Sequence, residues 1–231
     1  MKLREPMKFS DKTFNILKNF STINQSLLFR KGNVIRTMSV MKNILAEAVI
    51  DEELPKEFGI YELNQFLNGM ILHGDRDAEL DFSNDSYVVI KDVNGNKTKY
   101  YYSNPSVIVS PPDKAMELPS QDICFCLDST ELQRLQKAAS VYSVPDLCAV
   151  GDGSRIKLIA TDKENKTSNE YSIDVGETDK VFSMNYKVEN IKIIPGKYDV
   201  VISKKGISKF TNSSLNIVYY IALEPDSSFE E

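Results

Sequence analysis

Tryptophan is absent from the 231 residues, histidine occurs once and cysteine three times. Three cysteines cannot all pair, and Cys124, Cys126 and Cys148 match no zinc spacing, so neither a disulfide framework nor a structural zinc site is expected. Cys124 and Cys126 stand two apart in the strand-like run Ile123–Leu127. They share one face and read as small buried hydrophobes rather than as redox or metal groups. Ten glycines and nine prolines are too few for a collagenous or low-complexity chain, and 42% apolar residues suffice for real cores. No run approaches the roughly 20 apolar residues of a membrane helix. The start, Met1 to Pro6, lacks the apolar stretch of a secretory signal, so a cytoplasmic location is expected.

What is present is charge, 28 basic and 33 acidic residues for a net of −5. The excess is local: residues 1–115 balance, and much of the surplus lies in the tail, at Glu224, Asp226, Glu230 and Glu231. A length of 231 residues suits two domains of about 110 residues each.

Ser10-Asp11 caps a helix predicted over 11–23, with Phe14, Leu17, Phe20 and Ile23 on one side. Leu27–Phe29 and Val34-Ile35 around Lys31-Gly32-Asn33 predict a hairpin. Ile44–Ile50 predicts a strand, 60–72 a second helix, and Glu79–Phe82, Tyr87–Val93 and Lys97–Tyr102 three more strands, the last two joined at Asn94-Gly95. Pro105, Pro111, Pro112 and Pro119 break the pattern, and Val107–Val109 reads as extended. This organisation predicts domains 1–104 and 122–231 joined by a linker 105–121.

The second half repeats the first at an offset of about 120 residues. Leu132, Leu135, Ala139 and Tyr142 repeat the first helical face; Leu147–Val150 and Arg155–Ile159 repeat the hairpin across Gly151-Asp152-Gly153. Phe182–Ile194 lies where the second helix lay and is expected to be helical over 184–194. The fold class expected is α+β, two copies of one unit with helices on one face of an antiparallel sheet.

Signals for catalysis are few. His73 stands at a predicted helix end, where an imidazole suits the dipole, and no triad accompanies it. Asp75, Asp77, Glu79 and Asp81 alternate and could line up for a divalent ion, but EF-hand spacing is missing and a solvated strand face explains them. Tyr100-Tyr101-Tyr102 beside Lys97 and Lys99 suggests a stacking platform, yet adjacent strand residues alternate faces, which favours a half-buried strand. The helices are more informative. Lys12, Asn15, Lys18 and Asn19 fall opposite the apolar stripe of the first, and Arg134 and Lys137 lie on the polar side of its repeat. Lys187 and Lys192 lie in the last candidate helix. Such faces supply mobile donors for phosphates without reading bases, and a solvated helix face is the alternative.

Met7–Ser10, Leu17–Asn24, Ala46-Glu47-Ala48, Ile60–Asn64, Phe66-Leu67, Asn190–Lys192, Pro195–Tyr198, Ala222–Glu224 and Asp226-Ser227 occur in collinear order. Together they resemble the DNA polymerase sliding clamps of T4-like bacteriophages and, more distantly, all ring-shaped processivity clamps. Residues 1–6 depart from the family, which looks as if it begins at Met7; an extension or an alternative start would explain them. The resemblance implies two clamp-type domains assembling into a closed homotrimeric ring, without catalysis or cofactor, around double-stranded DNA in the cytoplasm of an infected bacterial host. The helical polar residues above would face the DNA. An ATP-driven clamp loader would open the ring. An apolar pocket at Val40, Met41, Leu45, Val107, Ile108, Tyr219, Ala222 and Pro225 would take the polymerase's C-terminal peptide and late-transcription proteins, sigma-like and co-activator. Ordinary core packing is the alternative for those eight residues, and a virion structural or assembly protein the alternative for the chain.

Overall fold

The computed structural model describes residues 6–74, 77–114 and 116–230. The chain divides into two units. One runs to Asp113 and takes in Leu215–Ile217; the other comprises Lys114–Ser214 and Val218 onward.

The first unit opens with α1 (Asp11–Ile23), where the Ser10 hydroxyl accepts the Thr13 N–H at 3.2 Å and satisfies one of the orphaned donors of the first turn. There follow β1 (Leu27–Phe29), β2 (Gly32–Met38), β3 (Ile44–Leu54), β4 (Phe58–Ile60), α2 (Leu63–Leu72), β5 (Glu79–Asp81), β6 (Tyr87–Lys91) and β7 (Lys97–Tyr101). α1 lays Phe14, Ile16, Leu17 and Phe20 on β2, β3 and α2. β3 alternates cleanly, with Ile44, Ala46, Ala48 and Ile50 inward. The 215–217 segment joins this unit where the Val49 N–H donates to the Asn216 carbonyl at 2.9 Å. β5, β6 and β7 form an antiparallel sheet in that order.

Two local expectations change here. β1 pairs with β4, Leu27 opposite Ile60 and Phe29 opposite Phe58, rather than closing a hairpin on β2. The Phe29 and Phe58 rings stack at 4.6 Å, and β2 takes β3 as its partner. The Asn94-Gly95 turn is the centre of a five-residue loop between β6 and β7: one Asp92 carboxylate oxygen accepts the N–H groups of Asn94 and Asn96, both at 2.9 Å, and Gly95 takes φ +86°.

The second unit contains β8 (Ile123–Leu127), α3 (Ser129–Tyr142), β9 (Asp146–Asp152), β10 (Arg155–Thr161), β11 (Tyr171–Glu177), β12 (Val181–Lys187), β13 (Tyr198–Ser203), β14 (Ile207–Asn212), β15 (Ile217–Ala222) and β16 (Ser228–Phe229). α3 begins with a reciprocal capping box, in which Asp128 accepts from Thr130 N–H and Glu131 accepts from Asp128 N–H. Its Leu132, Leu135, Ala138 and Ala139 are buried, and it packs on β10 and β11. One sheet runs β11-β10-β9-β12-β16, and β15-β14-β13-β8 lie side by side. The tail closes the edge of β12: Phe229 stacks on Phe182 while the ammonium groups of Lys180 and Lys204 stand 5.8 and 5.4 Å from its ring.

The helix expected over 184–194 is instead strand β12 followed by a single 3-10 turn, Val188–Asn190. Phe182, Met184 and Tyr186 are buried at a period of two, and all of β12 pairs with β9. The repeat is therefore unequal, with two helices in one unit and one in the other among the described residues. Cys124 and Cys126 do share a face, but it is the exposed one, because Ile123, Phe125 and Leu127 take the interior; Cys148 is the buried cysteine.

The segment after β7 follows the first unit closely. Pro105–Val107 is a 3-10 turn rather than extended chain, with proline where no N–H is needed and Asn104 accepting from Ser106 N–H. Ser103 N–H donates to the Gly59 carbonyl at 2.8 Å, and a Cβ on residue 59 would stand 2.7 Å from Ile108 Cδ1 and 2.8 Å from the Ser103 carbonyl oxygen. Gly59→Ala is expected to cost about 1–3 kcal/mol by forcing this segment away. A thermal midpoint within about 1 °C of wild type would show that the approach is not tight.

Candidate functional site

α1 and α3 each hide an apolar stripe, so their polar faces point outward by necessity. On α1 Asn15 and Lys18 are exposed, and Lys12 and Asn19 are half-buried. On α3 Arg134 and Lys137 are exposed. Their charges differ in availability. Lys12 pairs with Asp51 at 3.1 Å, and the Ser10 hydroxyl together with Lys12 holds the Asp51 carboxyl below its ordinary range. Lys18, Arg134 and Lys137 have no carboxylate within ion-pair distance among the described residues. The three helices carry four basic and two acidic residues, a net of +2 in a chain of −5. The outward side of α2 adds no charge: it exposes the amides Asn64, Gln65 and Asn68 and, at its C-terminal end, Ile71 and Leu72.

Lys187 and Lys192 stand on no helix. Lys187 ends β12 and reaches the fully buried Asp146 carboxylate at 2.6 Å; the other Asp146 oxygen accepts the Lys163 N–H at 3.2 Å. The Asp146 hydrogen bond holds the Lys187 ammonium above its ordinary value, so this positive charge is already engaged. Lys192 follows the 3-10 turn and is half-buried. Nothing in the local sequence announced the Lys187 pair, because its partner lies 41 positions away.

The first unit also holds an open pocket of about 370 Å³, lined by Ile23, Asn24, Gln25, Ser26, Val40, Tyr61, Val107 and Val109. Val40 and Val107, 67% and 56% exposed, are the two expected residues brought together there. Met41 is exposed in the β2–β3 turn, Leu45 is half-buried on β3, and Ile108 is buried. Tyr219, Ala222 and Pro225 lie in the second unit. Tyr219 is core there: its hydroxyl accepts from Ile194 N–H at 3.2 Å, its ring meets Tyr198 edge-on, and burial pushes its phenol upward. Ala222 is half-buried and Pro225 exposed. Sequence reasoning passed over Tyr61, whose signal was an aromatic before the polar start of α2, and the Asn24-Gln25-Ser26 turn that ends α1. The 105–113 segment is held down by Arg30 and Arg36. Arg30 pairs with the Asp113 carboxylate and Arg36 donates to its carbonyl at 3.1 Å.

The other groups singled out by sequence are locally engaged. His73 is buried with Nε2 at 2.7 Å from the Thr98 hydroxyl. Asp77 pairs with Lys8 and Asp81 with Lys91, while Asp75 lies outside the described residues. Tyr101 is exposed, and Tyr100 and Tyr102 are half-buried on β7 or just past it.

A family model described as DNA polymerase processivity factor matches residues 8–110, and one described as gp45 sliding clamp, C terminal, matches 124–225. The sliding clamp of Vibrio phage KVP40 is 33% identical over 225 residues, covering 94% of this chain and 99% of that protein. The sliding clamp of Enterobacteria phage T4 is 29% identical over 233 residues, covering 97% and 100%. Proliferating cellular nuclear antigen from Entamoeba histolytica has the same fold at TM-score 0.68 and 15% identity, with 95% of this chain and 98% of that one covered. DNA polymerase III subunit beta from Borrelia burgdorferi aligns at TM-score 0.70 and 14% identity, over 96% of this chain and 63% of that one.

The lysines separate by experiment. Lys187→Met strands the buried Asp146 carboxylate and is expected to cost about 2 kcal/mol. Lys18→Met on the open face should cost less than about 0.5 kcal/mol. Equal urea midpoints for the two variants would show that the Lys187 pair contributes nothing.

Proposed function

The chain belongs to the sliding clamps of T4-like phages, the DNA polymerase processivity factors, and from that premise we propose that it encircles double-stranded DNA as a homotrimeric ring and tethers the phage replicative polymerase. The observation that carries the proposal is the set of uncommitted cations Lys18, Arg134 and Lys137, outward on two helices of an otherwise acidic protein. A ring holds DNA by topology and needs no tight grip. A few mobile lysine and arginine contacts to phosphate, diluted by Asn and Gln, let it slide. Acidic residues elsewhere keep DNA off the outer surface.

Closure needs two unlike ends that fit each other. Among the described residues β7 pairs only with β6 and β11 only with β10, so each offers a free backbone edge. Lys97 and Lys99 are exposed on β7, Asp174 and Glu177 on β11. Complementary charge on two open edges supports head-to-tail pairing of β7 with β11 of the next copy. The Val40–Val107 pocket would take an apolar C-terminal peptide of the polymerase and, at late times, of the sigma-like and co-activator proteins of late transcription. A solved complex described as the C-terminal region of FEN-1 bound to A. fulgidus PCNA supports this kind of partner. An ATP-driven loader would open the ring in the host cytoplasm.

Light scattering should give three times 26.1 kDa. K97E/K99E should shift the protein to monomer, and adding D174K/E177K should restore the trimer; a trimer unaffected by the first pair would discard the β7–β11 edge. K18E/R134E/K137E should leave the mass unchanged while cutting retention on nicked circular DNA by about tenfold or more at low salt. Undiminished retention would remove these helices from the DNA-facing surface.

A further inference from the structure

Asn24 follows the last residue of α1, is 4% exposed, and has its side-chain amide engaged at both ends. Nδ2 donates to the Met38 carbonyl at 2.8 Å and to the Val109 carbonyl at 3.2 Å. Oδ1 accepts the Ser26 N–H at 3.0 Å and the Ser26 hydroxyl at 3.2 Å. The amide has one sensible orientation, since the reverse would set its oxygen against two carbonyls and its NH2 against an N–H. One carbonyl belongs to Met38, two residues before the lining residue Val40, and the other to Val109, which lines the 370 Å³ pocket together with Val107. Ser26, fixed by the same amide, also lines the pocket, as does Asn24 itself.

We infer that Asn24 is a positioning residue that sets the gap between the Val40 wall and the Val107–Val109 wall, and thereby the size of apolar side chain a docking peptide can insert. The inference rests on the pocket reading given above. Arg36 also reaches the 105–113 segment, but from outside the pocket lining and at Asp113, whereas Asn24 is itself a lining residue and binds at Val109. Aspartate has the same shape and keeps both Ser26 contacts, but it turns an oxygen toward two carbonyl oxygens and drives the walls apart. Once protonated, it can donate to one of them again. The defect of N24D is therefore reversible by acid, which a general loss of packing is not.

The test is fluorescence anisotropy with a labelled synthetic peptide, the last ten residues of the cognate phage polymerase, at about pH 8 and about pH 5. Trimer mass and thermal midpoint are checked in parallel. N24D is expected to bind about tenfold more weakly than wild type at the higher pH and to recover most of that at the lower, where wild type changes less than about twofold. N24S, which can reach only one carbonyl, is expected to bind about three- to tenfold more weakly at both values and carries the test should N24D fail to fold. V40D, a change in the wall itself, should abolish binding throughout. Wild-type affinity in N24D and N24S with binding lost in V40D overturns the inference and leaves the pocket standing. Wild-type affinity in V40D overturns the pocket and the inference together. An N24D defect that persists at low pH also overturns the positioning role.

Discussion

Each helix in this protein has one apolar stripe to hide, and where that stripe goes decides which side chains remain for anything else. Fully burying a leucine or phenylalanine is worth about 1.5–3 kcal/mol, against about 1 kcal/mol for a helix cap. The five large apolar residues that α1 buries therefore outweigh its Ser10 cap several-fold, and the helix has no freedom to rotate. Asn15 and Lys18 are outside because Phe14, Leu17 and Phe20 are inside. The same constraint on α3 puts Arg134 and Lys137 outward through Leu132 and Leu135. The polar surface is a residue of core packing, and it asks nothing further of stability.

This is why the helical surface was legible in the sequence and the charge state of particular lysines was not. Periodicity of 3.6 located α1 to the residue, with its cap at Ser10, and found the buried face of α3, whose Asp128 capping box the structure adds. It misplaced Lys187, because reading 182–194 by analogy with the second helix overrode the local alternation of Phe182, Met184 and Tyr186. A period-two signal is short, and its meaning depends on whether a partner strand waits. Here β9 does, and it also brings Asp146 beneath Lys187. The cysteine pair illustrates a second limit: spacing shows that Cys124 and Cys126 share a face, but only the burial of Ile123, Phe125 and Leu127 tells which face it is.

Two of the eight residues expected at a pocket, Val40 and Val107, line the same one. Both are exposed in the structure, and they were expected there only through the resemblance to the clamp family. Asn24 is a polar residue at a helix end, whose ordinary reading is a cap. Its work on Met38 and Val109 joins positions 14 and 85 apart in the chain. Long-range hydrogen bonds of this kind leave no periodic trace. In this chain helical pattern dictates the broad electrostatic face, and tertiary fit dictates the detail of a site.

The passage of Leu215–Ile217 into the first unit bears on how the protein is made. That unit is otherwise complete at Asp113, yet the Val49 N–H waits for the carbonyl of Asn216. A ribosome adding about 5–20 residues per second needs about 5–20 s to cover the intervening stretch. Throughout that interval one flank of β3 presents unsatisfied backbone beside a partly exposed valine, an invitation to nascent chains on neighbouring ribosomes. The first unit is thus finished only when the end of the chain returns to it.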